Sequence, residues 1–371
     1  MSKASPASDL GPELRCDERV RVRSAEQILA TLDANGELEG LPFMPEMLRF
    51  CGQVLRVERS AHKTCDTITG ASLGRRLERS VHLASSRCDG AAHGGCQAQC
   101  LLFWKQAWLE RVEPARSSWS WRLLSGAGRA PGAAGSPHGA CRLETLRGRA
   151  AEPAASDPAG PSYRCQATRL LAATTPLAWW EPTQYLRDWL SGNVALWTLL
   201  RAMLLRVLYR FAILWRGYEL KVSLYDLVAR ITGARSWPYA VGTQSGKTPS
   251  DKLDLQPGEW VEIKSHDEIL ETLNGRMNRG MGFAPEMVQY CGQRYRVAAR
   301  VDKIINEKTG KMLRMKNDCI ILDGVVCKSD CSENRLFCPR KIYAYWREIW
   351  LRRVDAGQEP GARGSSTSFR A

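Results

Sequence analysis

PEMLRFCGQ at residues 45–53 returns as PEMVQYCGQ at residues 285–293. Working outward, the flanking stretches repeat as well. VRVRSAEQILATL (20–32) pairs with VEIKSHDEILETL (261–273): alternation suited to a strand, then a Ser placed to cap a short helix with acidic residues in its first turn. Phe43 pairs with Phe283, VLRVE (54–58) with RYRVA (294–298), Thr69-Gly70 with Thr309-Gly310, and VHL (81–83) with IIL (320–322). LLFWKQAWLERV (101–112) pairs with IYAYWREIWLRRV (342–354), where Trp104 and Trp108 correspond to Trp346 and Trp350. Four-residue spacing puts each tryptophan pair on one face of a helix.

These correspondences predict an α+β chain built from two copies of a small β-rich module, residues 17–112 and 256–355. Each copy reads as an SH3-like barrel with a short helix after its first strand and a longer C-terminal helix. Residues 1–16 and 356–371 read as disordered ends. Residues 113–162, rich in Ala, Gly, Pro, Ser and Arg with few large apolar side chains, read as a disordered linker. Residues 163–255 read as a basic helical connecting segment. Within it, Val194–Trp215 is strongly apolar, but Arg201, Arg206 and Arg210 would each be costly near a bilayer centre, about 2.5–3.5 kcal/mol. That argues against a simple span. A helix packed between the modules and a helix lying in a membrane interface (194–216) are the two readings left.

The net charge of +14 suggests an anionic partner, yet most of the surplus falls between residues 113 and 256, outside the repeated halves. That distribution weakens a nucleic-acid reading, which calls for a concentrated stripe on a folded face. The N-terminal stretch MSKASPASDLGPELRCDERV has no apolar h-region, so the expected location is cytoplasmic, with peripheral membrane attachment as the variant. Thirteen cysteines in such a chain read as thiols or metal ligands rather than as a disulfide framework.

Their placement supports metal ligation. Counting from the tryptophan pairs and the VHL/IIL strands, Cys96 aligns with Cys338 and Cys88 with Cys327, while Cys51 and Cys291 share the repeated phrase. A thiolate centre usually needs four ligands, so Cys100 completes a first set (Cys51, Cys88, Cys96, Cys100), with His93 as competitor. Cys331 completes a second set (Cys291, Cys327, Cys331, Cys338). The loop spacings are not the paired C-x-x-C knuckles of structural zinc, so zinc and an iron–sulfur cluster both stay open. Buried core thiols are the plain alternative for Cys51 and Cys291, each of which follows an aromatic residue.

The first half also carries His62, Cys65, His82 and His93, where the second aligns Asp302, Ile305, Ile321 and no equivalent. In AHKTCD (61–66) a nearby cation would lower the Cys65 pKa, although a solvated loop is the simpler reading. GTQSGKT (242–248) looks like a phosphate-binding loop, but it has three residues between its glycines instead of four and is followed by Pro249. It reads as a connection. The residues name no reaction. The expected function is a non-catalytic accessory or scaffold protein with tandem cysteine-rich metal-binding modules and a protein partner. The alternatives are an iron–sulfur redox or thiol enzyme and a nucleic-acid or membrane-surface binder acting through the Arg-rich middle.

Overall fold

A computed structural model describes residues 11–69, 73–112, 141–148, 150–152, 160–214, 227, 231, 241–330, 332 and 334–354. The chain is mixed α+β, mostly sheet with few helices. In the first half the principal elements are β1 (Arg19–Val22), α1 (Ala25–Leu29), β2 (Val54–Ser60), β3 (Lys63–Cys65), β4 (Gly74–Arg76), β5 (Ser80–Arg87), β6 (Leu101–Lys105) and β7 (Leu109–Arg111). The connecting region contributes β8 (Thr175–Leu177), α2 (Pro182–Leu190) and α3 (Leu196–Leu214). The second half contains β9 (Trp260–Ile263), α4 (His266–Leu270), β10 (Arg294–Arg300), β11 (Lys303–Ile305), β12 (Met312–Arg314), β13 (Ile320–Leu322) and β14 (Leu351–Arg353).

The first half forms a five-stranded antiparallel sheet, order β6-β5-β2-β1-β7, curled into a half barrel; the second forms a four-stranded sheet, order β13-β10-β9-β14. Their registers correspond. Val20 pairs with Leu55 and Arg111, and Val261 pairs with Tyr295 and Arg353. The long central strand is bulged at the same place, between Val57 and Arg59 in β2 and between Val297 and Ala299 in β10.

The repeated phrase is a clamp on the first strand. Pro45–Phe50 and Pro285–Tyr290 each form a short 3-10 turn that buries Met47 and Phe50, or Met287 and Tyr290. The chain then reverses at Gly52 (φ +79°) and Gly292 (φ +71°), in the left-handed region that glycine enters without strain. Gly52 N donates to Val22 O and Gly292 N to Ile263 O, both at 2.8 Å, so the turn docks on the end of β1 or β9. Ser24 caps α1 in a capping box with Gln27, and Ser265 caps α4 with Glu268, as the sequence leads one to expect.

The C-terminal helix expected in each half is absent. Residues 101–111 run as strand, 3-10 turn and strand, and residues 348–353 as 3-10 turn and strand. The run LLFWK is buried at every position, and a continuously buried apolar run reads equally as helix or strand. The 3-10 turn restores the shared facing of the tryptophans that the helical spacing implied. Trp104, Trp108, Trp346 and Trp350 are all fully buried. Phe43 meets Trp104 and Trp108 edge-on at 6.2 and 5.2 Å, and Phe283 meets Trp346 and Trp350 at 6.3 and 5.6 Å.

The segment between the halves is more structured than its composition suggests. Leu143–Gly148 is a short helix, and Cys141 and Leu146 join the first core, so the linker expectation fails for this part. Residues 113–140, 149 and 153–159 of that linker, and most of both termini, lie outside the described residues. β8 adds to the β3–β4 hairpin, making a three-stranded sheet. Helix α3 is anchored by Arg206, which donates to Ser332 O at 3.2 Å and lies over the Trp179 ring. Among the described residues no helix is long and apolar enough to cross a membrane. The two halves meet along a polar seam: Gln97 accepts from Asp302 N (2.7 Å) and Lys303 N (3.0 Å), and Arg87 stacks on Tyr343.

Candidate metal centre

Glu46, Cys88 and His93 converge from two elements of the first half. Glu46 sits in the 3-10 turn of the repeated phrase, where its carboxylate is turned inward. Cys88 follows β5 and is fixed by its own N–H donating to Cys100 O at 2.9 Å. The chain then turns tightly through Gly90, where a Cβ would lie 2.0 Å from Cys96 O, so a larger residue cannot occupy the position. His93 N and Gly95 N both donate to Gly90 O, and this turn swings the imidazole back over Cys88.

The three ligand atoms lie within 4.8 Å of one another. Cys88 Sγ is 3.1 Å from Glu46 Oε1 and 3.4 Å from His93 Nε2, and His93 Nδ1 is 3.6 Å from Glu46 Oε1. Gly90 N also donates to Cys88 Sγ at 3.3 Å. Glu46 and His93 are 8% and 2% exposed, yet Glu46 Oε2 and His93 Nδ1 have no hydrogen-bond partner. Buried polar atoms are nearly always paired, so two orphans in one cluster ask for something to satisfy them. Burial, with the Glu46 carboxylate beside it, pushes the Cys88 thiol far up, and burial lowers the His93 pKa. The site without metal therefore holds a neutral thiol and a neutral imidazole, and a cation would reverse the thiol preference.

The cluster opens into a small cavity of about 40 Å³, also lined by Cys96, Cys100 and Cys165 and closed from the second half by Ile305 and Arg340. Burial pushes Cys100 up to about 12. Cys96 Sγ accepts from Ile305 N at 3.3 Å. Three of the four thiols expected in the first set thus share one cavity. Cys51 is not among its lining residues; it packs half-buried against the first core.

The second set is not gathered. Cys291 packs against the second core, pushed by burial to about 12. Cys327 is half-buried with Ser329 Oγ at 3.3 Å, and Cys331 lies outside the described residues. Cys338 instead neighbours Cys65, which raises its pKa. Among the described residues, Glu46, Cys88 and His93 are the only group of three or more such ligands.

Sequence reasoning missed Glu46, although it lies inside the repeated phrase, because a single carboxylate there has no ligand spacing to mark it. It also misread AHKTCD as solvated. His62, Lys63 and Cys65 are 2%, 3% and 5% exposed. Lys63 donates to Asp188 Oδ2 at 2.5 Å and to Leu336 O at 2.8 Å, and His62 Nε2 lies 3.3 Å from Asp188 Oδ1. No sequence signal could have paired Lys63 with an aspartate in the connecting segment. His82 is enclosed, its Nδ1 2.9 Å from Leu102 O, and burial lowers it to about 4. GTQSGKT is a connection: Gly242 and Thr243 pair with Gly275 and Asn274. Compared with known protein families, curated proteins and solved structures, the chain gives no match.

Proposed function

We propose that this chain is a non-catalytic accessory or scaffold protein whose first half is tied together by a single metal ion. Glu46, Cys88 and His93 are the ligands, and Cys100, which neighbours Cys88 electrostatically across the same cavity, is the candidate fourth. The observation carrying this reading is the pair of orphaned buried atoms, Glu46 Oε2 and His93 Nδ1, within a three-ligand cluster. A donor set of thiolate, imidazole and carboxylate suits zinc; an iron–sulfur cluster prefers thiolates throughout. The ion joins the repeated-phrase turn to the loop after β5, a structural rather than catalytic placement. The corresponding registers and bulges support reading residues 17–112 and 256–355 as two copies of one SH3-like barrel module, of which the first keeps the metal.

Elemental analysis of the purified full chain tests this reading. We expect near one zinc per chain, falling to a small fraction in Cys88→Ser and in His93→Ala. Cobalt substitution should give a thiolate-to-metal absorption band that Cys88→Ser removes. Wild-type protein lacking stoichiometric metal after purification without chelator would overturn the reading.

A second reading rests on a separate observation. Leu196, Trp197, Leu200, Leu204 and Val207 of α3 are exposed along one face, with Trp180, Leu186 and Trp189 exposed nearby. An apolar stripe with tryptophans on a basic chain favours docking to an anionic membrane surface. Cosedimentation with phosphatidylserine vesicles checks it: Trp197→Ser combined with Leu200→Ser should lower the bound fraction several-fold, and unchanged binding would discard it.

A further inference from the structure

The seam between the halves holds a second pair of cysteines with a chemistry of its own. Cys65 ends β3 and Cys338 lies in the second-half loop that crosses it, and the two buried thiols are neighbours close enough to shift each other's proton affinity. Both side chains are 5% exposed. The loop is held in place from several sides: Lys63 Nζ donates to Leu336 O (2.8 Å), Arg340 Nη1 to Thr67 Oγ1 (2.7 Å) and Arg340 Nη2 to Glu307 Oε1 (2.9 Å). Among the described residues no third ligand completes a metal group here.

The surroundings distinguish the two sulfurs. The neighbouring Cys338 thiol, followed by the Arg340 and Arg335 guanidiniums, brings Cys65 down to about 6, whereas Cys338 is raised. Burial pushes other thiols up, Cys319 to about 12. A thiol brought down beside one that is raised is the pairing that reactive dithiols need.

We propose that Cys65 and Cys338 are a redox-active pair that closes to a disulfide in response to a hydroperoxide, locking the first half to the second. In the first step the Cys65 thiolate attacks the terminal peroxide oxygen, the O–O bond breaks, the alkoxide leaves (hydroxide in the case of hydrogen peroxide) and Cys65 becomes a sulfenic acid. In the second the Cys338 sulfur attacks the Cys65 sulfur, the S–O bond breaks, and the hydroxyl leaves as water with the Cys338 proton. Two thiols are oxidised, one peroxide is reduced, and a thiol reductant reverses the bond. Because the two sulfurs are already neighbours, closure needs only local opening of the seam to admit the peroxide. The proposal is independent of the metal centre.

The test uses the full chain, reduced and then exposed to stoichiometric hydrogen peroxide. Peptide mapping without reductant should recover one linked pair containing Cys65 and Cys338. The oxidised chain, closed into a very long loop, should migrate faster on a non-reducing gel and return after dithiothreitol. Cys338→Ala should lose the shift completely and leave a sulfenic acid on Cys65 that dimedone traps, while Cys319→Ser should keep the shift. Near-UV circular dichroism of the buried tryptophans checks that the variants fold; the wild-type map needs no variant. Cross-links mapped elsewhere, such as Cys65 to Cys327, would overturn the proposal. So would unlinked Cys65 and Cys338 after oxidation, or loss of bound metal on mutating either one.

Discussion

The turn after β5 and the turn after β13 begin alike and end differently. In the first half Glu46 and Cys88 are joined by His93, and Gly90 N donates to the sulfur. In the second half Glu286 lies close enough to Cys327 to raise its pKa, but the third position is filled by Ser329, whose hydroxyl sits against the sulfur. Burial first, and then Glu286, brings Cys327 to about 11, tempered by Ser329. One turn thus gathers unsatisfied donors around a cavity, and the other satisfies its thiol internally. A hydroxyl that completes the local hydrogen bonding removes the reason for an ion.

The largest effect that would separate the halves lies at their third strands. Lys63 in β3 is buried against Asp188, whereas Lys303 in β11 is half-buried at the seam. Burial lowers the Lys63 pKa and Asp188 opposes that shift, so deleting the aspartate strands an amine in the interior. Asp188→Ala should destabilise the chain by about 3–5 kcal/mol in urea unfolding, against roughly 0.5 kcal/mol or less for Lys303→Ala. Equal losses would erase the distinction.

Metal content breaks the comparison next. Cys88→Ser should lose bound metal and the linked stability, about 2.7 kcal/mol at a metal concentration a hundredfold above Kd. Cys327→Ser should leave metal content unchanged. The same site fixes a pH dependence. The Cys88 thiol is raised, so it is protonated without metal and must lose its proton on ligation. His93 is lowered and already neutral, so it releases nothing near pH 7. Apparent zinc affinity should therefore fall as pH falls, roughly tenfold per unit for each proton released, as competition with a chromogenic chelator would read.

A smaller contrast lies in the tryptophans. Trp104 Nε1 donates to Ser86 Oγ at 3.1 Å, while Trp346 Nε1 has no hydrogen-bond partner. Trp104→Phe should therefore cost about 1 kcal/mol more than Trp346→Phe. Smallest of all, Ser24→Ala and Ser265→Ala should each cost about 1 kcal/mol and by equal amounts, because both caps use the same box. A difference between them would show that the first turns are not equivalent.

The sequence was legible where a local rule and a tertiary contact agree. Ser24 and Ser265 cap the predicted helices, and Val20 with Val22 alternate inward as the strand period requires. It failed at LLFWKQAWLERV, where burial on both faces hides the period that tells helix from strand. Within the candidate site, Cys88, Cys96, Cys100 and His93 were readable from their crowding in one polar loop. Glu46 was not, since a lone carboxylate in an apolar phrase carries no spacing signal. Cys65 with Cys338 was hidden differently: the internal alignment matches Cys65 with Ile305, and only the packing of one half against the other brings the sulfurs together.

The outer position of β8 has one further meaning. Pro176 pairs with Arg75 on the free side of the β3–β4 hairpin, and proline has no N–H to offer a following strand. The connecting segment thereby ends that sheet with a residue that refuses further hydrogen bonding. An unpaired strand edge can recruit strands from neighbouring molecules, so the short strand Thr-Pro-Leu acts as a terminator against edge-to-edge aggregation.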